Sequence, residues 1–275
     1  MNQKDADEIR QNVRASYAEV AEASNEGSGC GVGSSCCGVS EDAQINAVNS
    51  MRLGYSEEDI SSVPEGADMG LGCGNPRAIA SIKEGEVVLD LGSGGGFDVF
   101  LAAREVGRTG RVIGIDMTPA MISKARSNAE QAGHGNVEFR LGEIEYLPVA
   151  DNEVDVIISN CVINLSPDKG RVFSEAFRAL KPGGRLAISD VVASIDLPDE
   201  IRNDLALYSG CMAGASTISL LQQIISDVGF LDIEIIPKDE SREFIKDWAP
   251  GRGVEDYVLS AYIGAVKPQA GCCCQ

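Results

Sequence analysis

Short apolar runs alternate with helical segments between Glu86 and Val192, and this alternation constrains the fold more than any other feature of the chain. The strands predicted from this alternation, most of them largely apolar, are Val87–Leu91, Val112–Asp116, Val137–Leu141, Val154–Ser159 and Arg185–Val192. Continuous apolar runs of this length suit strands that are buried on both faces, and strands that alternate with helices form parallel βαβ units. The sequence therefore predicts an α/β fold with a Rossmann-like, mostly parallel sheet covered by helices.

A glycine-rich loop follows the first of these strands. It reads Asp90-Leu91-Gly92-Ser93-Gly94-Gly95-Gly96, and Asp116 ends the second strand. Glycines let the backbone turn tightly and approach a ligand closely, while the following helix points its N-terminus into the same space. A carboxylate at the end of the second strand can accept both hydroxyls of a ribose. The loop and the acid together predict an adenosine-containing cofactor.

The residue after the loop decides against one class of adenosine cofactor. A nicotinamide fingerprint needs glycine or alanine three positions beyond Gly94, where this chain has Phe97. A phenyl ring there would obstruct the close packing of helix on strand, so the sequence disfavours hydride transfer.

Charge and histidine content exclude further classes. The net charge of −19 disfavours nucleic acid and anionic membranes as partners, since both demand a basic footprint. No apolar run of membrane-spanning length occurs and the first ten residues are mostly polar, so we expect a cytoplasmic protein. The single histidine, His134, lies in a glycine-flanked turn. The chemistry must therefore use carboxylates, thiols or no base.

Nine cysteines are unusual against this background, and their odd number disfavours a disulfide framework. Cys161 follows the fourth strand directly, so topology places it at the crevice where open α/β sheets bind ligands. Cys73, in a second glycine-rich loop, and Cys211, after the fifth strand, can reach the same rim. Three thiols without a histidine describe a soft-ion site, such as one for arsenic(III), which keeps a lone pair beside three sulfurs. The thiols must lose their protons to bind.

The glycine loop and Asp116 resemble the cofactor motifs of class I methyltransferases, which use S-adenosylmethionine. The resemblance implies a seven-stranded sheet whose last strand, Tyr257–Val266, is antiparallel. It also implies cofactor contacts, and the residues that match are Tyr17, Asp90, Gly92, Gly94, Gly96, Asp116, Met117, Glu143, Ile144 and Asn160. Plain packing is an equal alternative for Tyr17 and Met117, and Asn160 either orients an acceptor or satisfies backbone groups.

Two segments and one further cysteine carry a closer resemblance. Gly70–Pro76, Ser159–Lys169 and Cys211 are similar to arsenite S-adenosylmethionine methyltransferases, and the likeness extends over about Ala15 to Val266. It implies that Cys73, Cys161 and Cys211 bind arsenic(III), delivered as arsenite or its thiol adducts. It also implies that thioredoxin or glutathione supplies reducing equivalents.

The same resemblance implies that an N-terminal cysteine pairs with Cys73 during oxidation. Cys36 and Cys37 are the candidates, and Cys30 leaves the assignment ambiguous. The tail Cys272–Cys274 is either a disordered end or a metalloid-capturing segment.

We expect four parts along the chain: a cap over 1–76, a cofactor-binding core over 77–192, a substrate-binding portion over 193–270 and a cysteine-rich tail over 271–275. Two alternative functions remain. The chain could methylate a small organic acceptor, such as a quinone or lipid intermediate, with the cysteines as packing. It could instead sequester metalloids without catalysis, although the glycine loop counts against that interpretation.

Overall fold

A seven-stranded sheet in the order β3-β2-β1-β4-β5-β7-β6 organises the computed structural model, which describes residues 3–26, 41–269 and 271. The strands β1 to β5 run parallel, and β7 is antiparallel to both β5 and β6. Their bounds are β1 Val87–Leu91, β2 Arg111–Asp116, β3 Val137–Leu141, β4 Val154–Asn160, β5 Leu180–Ala193, β6 Leu231–Lys238 and β7 Val258–Val266. The α/β fold class and the antiparallel last strand are confirmed.

Eleven α-helices occur in the described part of the chain. They are α1 Gln3–Glu26, α2 Glu41–Arg52, α3 Glu57–Ser62, α4 Arg77–Ala80, α5 Phe97–Val106, α6 Pro119–Ala132, α7 Lys169–Ala179, α8 Asp199–Arg202, α9 Leu205–Ser209, α10 Ile218–Val228 and α11 Arg242–Ile245. Asp168 caps α7 by accepting a hydrogen bond from the Arg171 amide, which confirms the capping role that its sequence position predicts. Within residues 3–26 and 41–269, no helix combines the length and the apolar character needed to span a bilayer.

The central strands are buried on both faces because alternate residues point to opposite sides of the sheet. Leu89 of β1 packs in a cluster with Phe173 of α7 and Ile225 of α10. The neighbouring Val88 packs in another cluster with Phe100 of α5 and with α6. This two-sided burial explains why the strand sequences show continuous apolar runs rather than alternation.

One helical prediction is wrong, and the helices α2, α4 and α11 escape prediction. The sequence suggests a single helix over Asp199 to Met212, whereas the structure has α8 and α9 separated by a break. The break occurs because the Asp204 side chain accepts hydrogen bonds from the amides of Ala206 and Leu207, which starts a new helix. Helix α2 follows a glycine and serine stretch, and its polar sequence carries little periodic signal.

The backbone at Gly96 joins the glycine loop to α5 with φ 97°, and a Cβ there would lie 2.7 Å from Phe100 and 2.9 Å from Phe139. We expect Gly96→Ala to lower the free energy of unfolding by about 2–4 kcal/mol, because strain and overpacking add. Urea denaturation measures the change. Gly135→Ala is the control, since nothing lies within 4 Å of its Cβ position. Equal losses at both positions would contradict this account.

Candidate active site

The glycine loop holds its shape through left-handed glycines and one carboxylate. Gly92, Gly94 and Gly96 have φ values of 72°, 51° and 97°. Asp116 accepts a hydrogen bond from the Gly94 amide at 3.0 Å through one oxygen, and from the Thr118 amide at 2.8 Å through the other. The acid that ends β2 therefore ties the loop after β1 to the neighbouring strand. Loop and acid form one unit at the carboxyl ends of the strands.

A cavity of about 1070 Å³, including its open mouth, lies over this loop. Most residues for which the sequence predicts cofactor contact line it: Tyr17, Asp90, Gly92, Gly94, Asp116, Met117, Ile144 and Asn160. Gly96 forms the N-cap of α5. Glu143 is not part of this lining; its carboxylate pairs with Arg14 at 3.1 Å, and its predicted cofactor contact stays a prediction.

Three buried carboxylates surround the loop. Burial raises the pKa of Asp90 well above its ordinary value, and the charges of Asp98 and Asp116 raise it further. Burial also raises the pKa of Asp98, although hydrogen bonds from Tyr55 and Asn160 act in the opposite direction. Raised carboxyl pKa values mean that negative charge is under-compensated here, so the cavity favours a cationic ligand.

The three cysteines singled out by the sequence meet at one place. Cys73, Cys161 and Cys211 are unpaired, each at most 4% exposed, and belong to one packed cluster. The Sγ atoms of Cys73 and Cys161 and a carboxylate oxygen of Asp190 lie within 4.8 Å of one another. The Cys211 thiol donates to the carbonyl of Cys161 at 2.5 Å. Cys161 also lines the cavity over the glycine loop, so the thiol cluster adjoins that cavity through this residue.

Two of these cysteines adopt a backbone conformation that side chains other than glycine rarely take. The φ values of Cys161 and Cys211 are 60° and 63°. The left-handed region costs an L-residue roughly 1–2 kcal/mol, and such strain concentrates at functional sites. Backbone hydrogen bonds hold both conformations, from the Cys161 amide to Ser189 and from the Cys211 amide to Tyr208. The backbone conformations that position these two thiols therefore destabilise the folded state.

Burial favours the protonated form of Cys73 and Cys161. Burial raises the pKa of Cys73, and raises that of Cys161 well above its ordinary value, where hydrogen bonds with Cys211 and Cys73 add to the effect. The half-buried Lys169 has its pKa lowered to about 8 by burial. A cluster of neutral thiols avoids placing several like charges in a site that water does not reach.

Asn160 joins the thiol cluster to the cofactor loop. Its side-chain oxygen accepts from the Cys73 amide at 3.0 Å, and its amide nitrogen donates to the Gly74 carbonyl at 2.8 Å and to Asp98 at 3.2 Å. Of the two roles that the sequence leaves open for Asn160, these contacts support the satisfaction of backbone groups. The same contacts fix the position of Cys73 relative to the start of α5.

Tyr17 lies between the two halves of the site. Its hydroxyl donates to the Ser209 carbonyl at 3.3 Å. Burial raises its pKa well above the ordinary value, and Cys211, Cys161 and Asp116 contribute to the rise. Tyr17 therefore faces the thiols on one side and the acid of β2 on the other.

Sequence reasoning missed Asp190, whose side chain lies fully inside the site. It belongs to β5, is 1% exposed and accepts hydrogen bonds from the amides of Ile163 and Val191 and from the Asn164 side chain. Burial raises its pKa to about 6, while these N–H donors and Lys169 act against burial. The available signal was an aspartate within the apolar run of a central strand, where an unpaired charge is costly.

The remaining cysteines of interest cannot be placed in the site. Cys30, Cys36, Cys37 and Cys272–Cys274 lie outside the described residues. The predicted pairing of Cys36 or Cys37 with Cys73 stays a prediction.

Comparisons with known proteins agree with this geometry. A family model described as a methyltransferase domain matches residues 82–229. An arsenite methyltransferase of Halobacterium salinarum is 52% identical over 96% of this chain, which spans 68% of that protein's length. An arsenite methyltransferase of Aquipseudomonas alcaligenes is 44% identical over 63% of this chain, and the match covers about half (51%) of that protein. This fold is also similar to the crystal structure of an arsenic(III) S-adenosylmethionine methyltransferase from Chlamydomonas reinhardtii, with a TM-score of 0.61 and 34% sequence identity. The match covers 85% of this chain and 76% of that chain.

The raised thiol pKa values predict slow alkylation at neutral pH. A thiol reacts as its thiolate, so a pKa above the ordinary value moves the onset of reaction to higher pH. We expect the pH midpoint for iodoacetamide labelling of Cys73 and Cys161 in the folded protein to exceed that of the same peptides in the unfolded chain. Peptide mass spectrometry across a pH series measures both. A lower midpoint in the folded protein would contradict the assignment of neutral thiols.

The left-handed backbone at Cys211 predicts an unusual order of stabilities. Glycine adopts φ 63° without the Cβ penalty, so Cys211→Gly should unfold with a free energy about 1 kcal/mol higher than Cys211→Ala. Both variants lose the same thiol, which makes alanine the matched control. Thermal or urea unfolding decides the order, and a more stable alanine variant would show that the backbone is not strained.

Proposed function

Because the chain belongs to the arsenite methyltransferase family, we propose that it transfers methyl groups from S-adenosylmethionine to arsenic(III) held by Cys73, Cys161 and Cys211. One observation carries the proposal: three buried thiols form one packed cluster, and Cys161 of that cluster lines the cavity that the glycine loop and Asp116 also line. A methyl donor over the loop and an acceptor on the thiols would share one enclosed space.

The cavity has the features that the cofactor requires. The Asp116 carboxylate, held by the Gly94 and Thr118 amides, lines the cavity, where it can accept from a ribose hydroxyl. Gly92 and Gly94 leave the backbone open to close approach, and the carboxylates of Asp90 and Asp98 favour a positive charge. Bound S-adenosylmethionine supplies a methyl group on a positively charged sulfur. These features support the cofactor assignment residue by residue.

Neutral thiols suit the capture of arsenite. Arsenous acid has three hydroxyl groups, and each thiol that replaces one sends its proton onto the leaving oxygen to form water. The exchange is neutral overall, so no net charge is placed in the buried cluster and no separate base is consumed. This balance agrees with the position of His134 in a turn beyond α6, lining a different surface pocket. The arsenic then carries three sulfur ligands and one lone pair.

The cycle needs electrons from outside the described site. Methyl transfer from a sulfonium raises arsenic from the trivalent to the pentavalent state, and two electrons must return before another transfer. We propose that thioredoxin or glutathione thiols supply them and become a disulfide. Cys36 or Cys37 is proposed to pair with Cys73 in this reduction, on the strength of the family resemblance alone.

The alternative functions account for fewer features of the site. Methylation of a small organic acceptor would leave Cys161 and Cys211 as packing residues, which gives no reason for two strained backbones at the cavity wall. Sequestration without catalysis would leave the glycine loop and the cavity above it without a role. Arsenic methylation uses every one of these features.

Removal of single thiols tests the proposal. We expect Cys161→Ser and Cys211→Ser to reduce methyl transfer to arsenic by about a hundredfold or more, because a hydroxyl is a poor ligand for a soft ion. The assay combines arsenite, labelled cofactor and a thiol reductant. Both variants should bind the cofactor as the parent does. If both transferred methyl groups at the parent rate, the thiolate-site mechanism would fail.

Asp116→Ala is the complementary variant, since it should weaken cofactor binding and leave arsenite binding unchanged. Trp248 is the only tryptophan of the chain and lines a second cavity together with Cys161 and Cys211. Its fluorescence therefore offers a measure of arsenite binding that needs no cofactor.

A further inference from the structure

We propose that the carboxylate of Asp190 stabilises the positive charge that arsenic acquires when it receives the methyl group. The proposal rests on the function proposed above and adds an electrostatic residue to the three thiols. It depends on where the carboxylate lies, on what holds it there and on the direction in which charge moves.

Asp190 is placed on the acceptor side of the site. One of its carboxylate oxygens lies within 4.8 Å of the Sγ atoms of Cys73 and Cys161. The carboxylates of Asp90 and Asp116 lie around the glycine loop instead. Arsenic bound to the thiols would therefore sit beside Asp190.

The carboxylate is held in a fixed orientation by N–H donors. The amides of Ile163 and Val191 donate to it at 2.8 Å and 2.7 Å, and the Asn164 side chain donates at 2.8 Å. All three groups belong to β5 or to the turn after β4, both of which are buried. A charge fixed by backbone groups needs no rearrangement during the reaction, which is what makes electrostatic stabilisation effective.

Lys169 is a cation whose charge acts on Asp190. Lys169 donates to the Gly214 carbonyl at 2.7 Å and influences the charge of Asp190 electrostatically. This ammonium partly balances the carboxylate and belongs to the N-terminal turn of α7.

Electron balance fixes the direction of charge movement. The lone pair of arsenic forms the bond to the methyl carbon, and the electron pair of the broken carbon–sulfur bond returns to sulfur. The sulfur loses its positive charge as S-adenosylhomocysteine forms, and arsenic gains that charge as it passes from the trivalent to the pentavalent state. No proton moves. Because the charge approaches Asp190 only during the reaction, the carboxylate stabilises the transition state more than the ground state.

The experiment compares Asp190→Asn with the parent in two measurements. Arsenite affinity is read from Trp248 fluorescence without cofactor, and methyl transfer is read as a single-turnover rate on the arsenite-loaded protein. We expect the rate to fall about a hundredfold, as on removal of one preorganised electrostatic group, while the affinity stays within about threefold. Asp190→Glu keeps the charge and should recover about tenfold of the loss.

Asp155→Asn is the matched control. Asp155 lies near the start of β4, at the end opposite to Cys161, where it pairs with Lys181 and accepts from the Val87 amide. The same chemical change there should leave the transfer rate within about threefold of the parent. If Asp190→Asn does not fold, Asp190→Ser takes its place in both measurements, because it removes the carboxylate without turning an N–H group toward the donors.

Two outcomes would overturn the proposal. A transfer rate in the Asp190 variant within about threefold of the parent would show that the charge does not act. A parallel loss of arsenite affinity and rate would assign Asp190 to the shape of the thiol site. A parent protein that binds cofactor but never methylates arsenic would instead refute the proposed function, so the two failures are distinguishable.

Discussion

Parallel pairing of β1 with β2 and β4, and of β4 with β5, is the constraint on which the rest of the structure depends. Parallel strands end at the same edge of the sheet, so the loops that follow them share one crevice. The glycine loop, Asp116 and Cys161 follow three of these strands, and Asp190 lies near the end of a fourth. Burial of the strands on both faces then fixes these positions, because a strand that shifted by one residue would turn its apolar side chains to the wrong layer.

The two sides of the crevice differ in charge. Asp90, Asp98 and Asp116 surround the loop as under-compensated carboxylates, which suits a cationic donor. The acceptor side holds neutral thiols and one carboxylate fixed by N–H groups. A donor that arrives positive and departs neutral would leave its charge on the acceptor. The arrangement therefore matches a reaction in which charge crosses the cavity and protons are not transferred between donor and acceptor.

The sequence predicts most of the sheet because its strands are continuous apolar runs that end in glycine or acid; β1 and β3 match their predicted bounds. It also brings Cys161 to the crevice by topology alone. It could not predict the break between α8 and α9, because a cap by Asp204 competes with an otherwise helical pattern. It marks Asp190 only as an aspartate within an apolar strand; its role could not be predicted, because its partners come from β5 itself and from the segment around Ile163, and only folding assembles them.

Features that cost stability are concentrated at one wall of the cavity. Cys161 and Cys211 hold left-handed backbones, and Asp190 is a carboxylate buried in a central strand. Each of these costs of order 1–3 kcal/mol in isolation, and packing alone would be served better by glycine or an apolar residue. The neighbouring β4 shows that this fold can build a regular buried strand without such costs along Val156, Ile157 and Ile158. The coincidence of three costs around one cluster of thiols is best explained by chemistry that needs sulfur and a negative charge at that place.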